Sequence, residues 1–364
     1  MQKNAKLNTM VSEDGIRGLC VIGKCKLIHT LLLDEYNIVT EKVIQIVIEN
    51  LPALRIFNHR FTVRALANLH RKALGKKPYI LPEFALSNLG VYIGKGKDFL
   101  TTTEDCELAV AVCPFITKVT VIYGGFELVD DDFLFLHKIK SLTNLHMKKS
   151  TFDTKHNYVI GLARLFKSVG SSLTFLKLDS FPKVDICDII EFCPNLRSIN
   201  LTCITYDDGT TKHRKKKNFL LKKLEMLYFW SSVCANFQPE ILSILLSSPS
   251  LVYVCINHCN FLTDDVLAGA ADLHQFPKLE QIIINGCCSA TEKGCEAMIN
   301  KCKSIREFEF LIYTQVGFFQ GCRKQPVHRN WERDFSTDDF SSFDVCFECR
   351  KTCIREHPLY RFPM

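Results

Sequence analysis

One spacing recurs along the chain and leaves few folds open to it. From Leu251 the sequence reads Leu251-x-x-Val254-x-Ile256-x-x-Cys259, then Leu262-Thr263-Asp264-Asp265 and a stretch of helical apolar periodicity. About 28 residues later the frame returns as Leu279-x-x-Ile282-x-Ile284-x-x-Cys287, and then as Ile305-x-x-Phe308-x-Phe310. Upstream it is carried by Leu224/Leu227/Phe229, Leu196/Ile199/Leu201, Leu173/Leu176/Leu178, Leu142/Leu145/Met147 and Ile116/Val119/Val121. A poorer match stands at Leu81/Phe84/Leu86, and Ile28/Leu31/Leu33 and Leu54/Phe57 open the series. That makes about eleven units. Unrelated helices and strands would not hold one frame over such a length.

Each letter of the unit has a mechanical reason. The segment x-Leu-x-Leu-x is a short strand whose alternate residues point to one side. Thr in Thr40-Glu41, Thr103-Glu104 and Thr291-Glu292 suits a helix N-cap followed by an acidic first turn. A helix such as Val43-Ile44-x-x-Val47-Ile48 turns an apolar stripe toward the same core. Turns such as Cys113-Pro114-Phe115-Ile116 and Cys193-Pro194-Asn195-Leu196 then end it at proline. No unit of this kind buries its apolar side alone, so the units must stack. The expected fold is α/β, a leucine-rich-repeat solenoid with a curved parallel sheet on the concave face and helices on the convex face.

The frame divides the chain into residues 1–27, a flank with a partial first repeat; 28–320, the array; and 321–364, a tail rich in Cys and Phe. Inside the array, residues near 60–100 read as one degenerate repeat, and 207–218 as an inserted basic loop. Met1 to Asn8 is too short to cover an apolar repeat end, so the first repeat is expected to be poorly capped. The 364 residues are 47% apolar, enough to bury a core and not to stay disordered. No leader-like apolar segment opens the chain, and no run reaches the roughly 18 residues of a membrane span. A cytoplasmic protein is therefore expected, with its 18 cysteines reduced and packed as small hydrophobes.

The units built on Cys259 with Thr263-Asp264, and on Cys287 with Thr291 and Cys302, resemble the cysteine-containing repeats of F-box/LRR proteins. The resemblance runs over residues 11–315. It implies that the solenoid recruits a protein substrate, as the recognition subunit of a cullin-based (SCF-type) ubiquitin ligase. No F-box is legible ahead of the repeats, so the ligase adaptor is an expected partner only if an F-box lies upstream. The alternative is a scaffold or inhibitor, outside any ligase, that binds and blocks a protein partner.

Strand residues between the inward leucines should face the concave side and meet that partner. The aromatic and polar ones singled out are Phe175, Lys177, Tyr228, Trp230, Tyr253 and Asn257, with Tyr253 expected beside Tyr228. The tail offers Cys346, Cys349, Cys353 and His357 as a zinc set, although the usual longer gap between ligand pairs is missing. The run Lys212-His213-Arg214-Lys215-Lys216-Lys217 reads as a nuclear-import candidate, giving a nuclear location beside the cytoplasmic one. It lacks aromatics at stacking spacing, and the net charge of +7 is modest and local, so nucleic-acid binding is not expected. Gly90 to Lys97 lacks the Gly-Lys-Ser/Thr ending of a phosphate loop, and no nucleophile or metalloprotease motif is present. The expectation is a binder, with no catalytic residue and no cofactor unless zinc occupies the tail.

Overall fold

Strand follows helix along the chain as the frame requires. The computed structural model describes residues 4–7, 13–21, 26–33, 39–78, 80–94, 101–124, 130–149, 162–181, 184–204, 221–231, 239–274, 276–287, 289–314 and 317–321. The chain forms two compact units, Met1–Phe175 and Leu176–Met364. Each is a stack of leucine-rich repeats.

In the first unit the strands are β1 (Asn4–Leu7), β2 (Thr30–Leu33), β3 (Ile56–Phe57), β4 (Asn88–Gly94), β5 (Lys118–Gly124) and β6 (Asn144–Lys149). They pair in chain order and in parallel. Helices α1 (Glu13–Val21), α2 (Glu41–Asn50), α3 (Thr62–Leu74), α4 (Thr103–Ala111) and α5 (Leu162–Val169) make the returns, with a 3₁₀ segment at Asp130–Lys138. The inward residues Leu31, Phe57, Leu89, Val119, Val121, Leu145 and Met147 have no exposed surface. Against them lie helix stripes such as Leu162, Leu165, Phe166 and Val169, spaced to share one face.

Small hydroxyl residues hold the register just ahead of the strands. The Ser87, Thr117, Thr143 and Thr174 amides donate to the carbonyls of Arg55, Ser87, Thr117 and Thr143 at 2.8–2.9 Å. Each hydroxyl then donates to the same carbonyl at 3.2–3.4 Å. A short hydroxyl side chain is what can bond at that spacing without leaving the turn.

Three details differ from the expectation. Residues near 60–100 do not hold a degenerate strand at Leu81/Phe84/Leu86. The strand is β4, with Leu86, Leu89 and Val91 inward and at most 1% exposed. Segment 80–87 is a connection whose Phe84 amide donates to the Val112 carbonyl. The flank before Ile28 carries a strand as well as the partial helix, since β1 pairs with β2 from Asn4↔Thr30 to Leu7↔Leu33. The N-cap of α4 is Thr102, not Thr103, in a capping box with Asp105.

The second unit takes in β7 (Phe175–Asp179) from Leu176 on, β8 (Ser198–Thr202), β9 (Met226–Trp230), β10 (Tyr253–Asn257), β11 (Gln281–Asn285), β12 (Glu307–Thr314) and β13 (Gly317–Gly321). From β8 to β12 the pairing is parallel, and β13 turns back antiparallel on β12. The returns are α6 (Ile186–Phe192), α7 (Pro239–Leu245), α8 (Asp264–His274) and α9 (Glu292–Lys301). Leu176, Leu178, Ile199, Leu201, Leu227 and Ile284 fill the core without exposure.

The cysteine and Thr-Asp letters join neighbouring repeats. The buried Cys287 thiol accepts from the Cys259 amide at 3.4 Å and donates to the Ile256 carbonyl at 3.6 Å. Cys193, Cys259, Cys287 and Cys302 are buried and form no disulfide, as small core residues should be. Burial pushes the Cys193 thiol up to about 12 and that of Cys302 up to about 11. The Asp264 carboxylate accepts from the Thr291 amide at 2.7 Å and from its hydroxyl at 2.6 Å. Those bonds hold the Asp264 carboxyl below the usual carboxylate range. Gly294 makes the clamp possible, because a Cβ there would run into Asp264.

Candidate interaction face

Alternation along the second unit's strands places half of each strand opposite the core, and the register arranges those residues in three rows. The first row runs Ser198, Met226, Tyr253, Gln281, Glu307. The second is Asn200, Tyr228, Cys255, Ile283, Glu309, and the third is Thr202, Trp230, Asn257, Asn285, Leu311. Burial confirms the faces on β9, where Met226, Tyr228 and Trp230 are half-buried while Leu227 and Phe229 are buried.

The rows rule out one expected contact. Tyr253 stands beside Met226, and Tyr228 stands beside Cys255. The repeat frame itself aligns Val254 with Leu227, so the two tyrosines are diagonal neighbours and not a direct pair. They belong to one cluster all the same. Burial raises the Tyr228 hydroxyl above its ordinary range, with Cys255 and Asp179 acting in the same direction. Tyr253 is raised by burial first, then by Cys255, Tyr228 and Glu307. Both phenols stay protonated at neutral pH.

Polar side chains brace the rings. The Asn257 amide donates to the Cys255 sulfur at 3.2 Å and also bonds Tyr228, while Tyr253 bonds Cys255. Cys255 is 5% exposed and Asn257 6%, so both are struts beneath the surface. Asn257, expected as a contact residue, therefore lies largely beneath the rings. Trp230 faces His258 with ring centroids 5.4 Å apart, and burial lowers the pKa of His258. His258 holds a left-handed backbone at φ 51°, which brings its ring back over the strand end.

Of the residues expected to bind a partner, the structure brings together Tyr228, Trp230 and Tyr253 with Asn257 under them. Lys177 lies half-buried on β7, and Phe175 is the last residue of the first unit. The import candidates Lys212, Arg214, Lys215, Lys216 and Lys217, and the zinc set Cys346, Cys349, Cys353 and His357, lie outside the described residues. His258, Glu307 and Glu309 were missed by sequence, whereas alternation alone puts Cys255 on the same face as Tyr253 and Asn257. The two glutamates were within reach of it, since the alternation that turns Tyr228 outward also applies to Ile305-x-Glu307-Phe308-Glu309-Phe310.

No protein-family model matches the chain, and no curated protein matches it. Among solved structures, it is similar to the leucine-rich-repeat-containing protein LegL7 from Legionella pneumophila, at 11% identity and TM-score 0.46 over 83% of this chain and 90% of that one. It is also similar to a chain of the Rad7 and Elc1 complex in yeast, at 12% identity and TM-score 0.37 over 74% of each.

Proposed function

We propose that this chain is a protein-binding scaffold, not an enzyme, and that it captures its partner on the outward face of the second unit around Tyr228, Trp230 and Tyr253. The observation that carries this reading is where the rings sit. They occupy positions that a repeat strand turns away from its core, and a hydrogen-bonded understructure fixes them there. An apolar cluster in such a place gains stabilisation when a partner covers it, and Tyr and Trp dominate interface energetics. Ordered struts also lower the cost of fixing side chains on binding.

The finer proposal is a substrate-recognition subunit of a cullin-based ubiquitin ligase. It is supported by the resemblance of the cysteine-containing repeats, whose Cys259, Cys287 and Cys302 serve the core. Affinity purification of the tagged chain separates it from a scaffold or inhibitor outside any ligase. Co-purifying cullin and adaptor favour the ligase, and a partner recovered without them favours the scaffold.

Trp230→Ala tests the scaffold itself. Partner binding should weaken by about 2 kcal/mol, roughly thirtyfold, while the melting temperature stays close to the parent's. A variant that melts far lower, or that captures the partner as well as the parent, would show that Trp230 is part of the core or plays no role at the interface.

A further inference from the structure

The charge on the outward face of the second unit runs against that of the whole chain. The protein carries +7, yet the charged residues on the outward rows from β7 to β12 are one lysine, Lys177, and three acids, Asp179, Glu307 and Glu309. Glu307 and Glu309 end the rows that hold Tyr253 and Tyr228. Ahead of the strands the ions are already matched, Arg197 with Glu225 at 3.4 Å and Arg306 with Glu280 at 3.7 Å. No such ion pair is found for Glu307 or Glu309 among the described residues.

We infer that the partner segment recognised here is basic, an extended stretch led by arginine or lysine that lays a cation over the Tyr253, Tyr228 and Trp230 rings and meets Glu307 and Glu309. This rests on the reading of the face as the interaction surface and adds the chemistry of its partner. Aromatic faces attract a cation through the ring quadrupole, and arginine is the cation that most often stacks on them. The neighbouring carboxylates supply the opposite charge and charge-assisted acceptors for its donors. An acidic partner would meet three carboxylates there, whatever the net charge of the chain.

A display library of short random peptides, selected on the full chain, tests this. Arginine and lysine should be enriched over the input, and the best peptide should lose affinity as salt rises. Its Kd should rise about tenfold with Glu307→Gln combined with Glu309→Gln, substitutions that leave the core untouched. If the selected peptides carry no basic enrichment but are lost with Trp230→Ala, the basic partner is excluded while the face survives. If Trp230→Ala retains the same peptides with unchanged Kd, the face itself is excluded. The chain has a basic run of its own at Lys212 to Lys217. Should peptide capture occur only after those lysines and Arg214 are changed to glutamine, that run is the occupant, and the partner assignment falls. Self-association of the parent that vanishes with the double glutamine variant would overturn it equally, in favour of a second copy.

Discussion

His59 occupies the third inward position of its repeat, after Leu54 and Phe57, where neighbouring repeats place Leu33 and Val91. It is 2% exposed. Its Nδ1 accepts from the Phe61 amide at 3.4 Å, which assigns the proton to Nε2, and that nitrogen has no hydrogen-bond partner. Burial, with help from Arg60, lowers its pKa from 6.5 to about 4. The unfolded chain therefore takes up a proton between these values that the folded chain refuses, so stability falls as pH drops from 6.5 toward 4. The loss should approach roughly 3 kcal/mol near pH 4. His59→Leu restores the residue type of the frame. It should stabilise the protein at pH 7 by about 1–3 kcal/mol, by removing the unmatched donor, and should flatten the acid-side slope. Urea unfolding at pH 7 and pH 4.5 checks both effects, and an unchanged slope in the variant would sink the assignment. The sequence did not reveal this position, because histidine breaks the apolar frame that locates its neighbours. The aromatic centre was legible at the same scale, since Tyr228 and Trp230 flank a core phenylalanine and alternation alone turns them outward. Their bracing by Cys255 was not, because alternation puts that cysteine on the same face but says nothing of the side chains it bonds.

Strands were easier to place than the connections between them, and the reason lies in which contacts fix each element. Leu173, Leu176 and Leu178 are held by the same inward geometry as every other repeat, so period alone assigns them. Leu176→Ala should cost roughly 2–5 kcal/mol, read as a lower midpoint in denaturant, and a cost under about 1 kcal/mol would place that side chain outside a close-packed core. Leu81/Phe84/Leu86 mimicked the consensus, but only Leu86 of the three is buried. The true frame starts at that shared leucine, five residues on. Near the start of the chain, Asn4–Leu7 offers no leucine frame, so β1 becomes visible only through its register with β2. Glycines mark another limit of period-based reading. Gly94 ends β4 at φ 152°, opposite Gly124, and a Cβ there would run into the Gly124 carbonyl oxygen. Gly94→Ala should therefore destabilise the first unit by about 1–3 kcal/mol. An alanine variant as stable as the parent would mean that the ends of β4 and β5 are not packed as described.

Across the whole molecule, each repeat contacts mainly its neighbours in the stack, so stability is local in origin and graded along each unit. An interior strand such as β5 is paired on both sides, with β4 and β6, and its inward Val119 and Val121 have no exposed surface. Toward the start of the first unit the packing thins. β2 is paired with the four residues of β1 on one side and the two of β3 on the other, and its Leu33 is 7% exposed, as is Ile28 just ahead of it. In the second unit, β10 lies between β9 and β11 and keeps Val254 and Ile256 at 1% exposure. Native-state hydrogen exchange should reflect this grading. The amides of Val119, Val121, Val254 and Ile256 should outlast those of Leu31 and Leu33 by at least about tenfold, the mark of a difference near 1.4 kcal/mol in the free energy of opening. The comparison is made on the monomeric full chain, because a partner or second copy seated on the first repeat would protect it too. If β2 exchanges as slowly as β5 and β10, the chain opens as one cooperative body and its repeats do not behave as a nearest-neighbour stack.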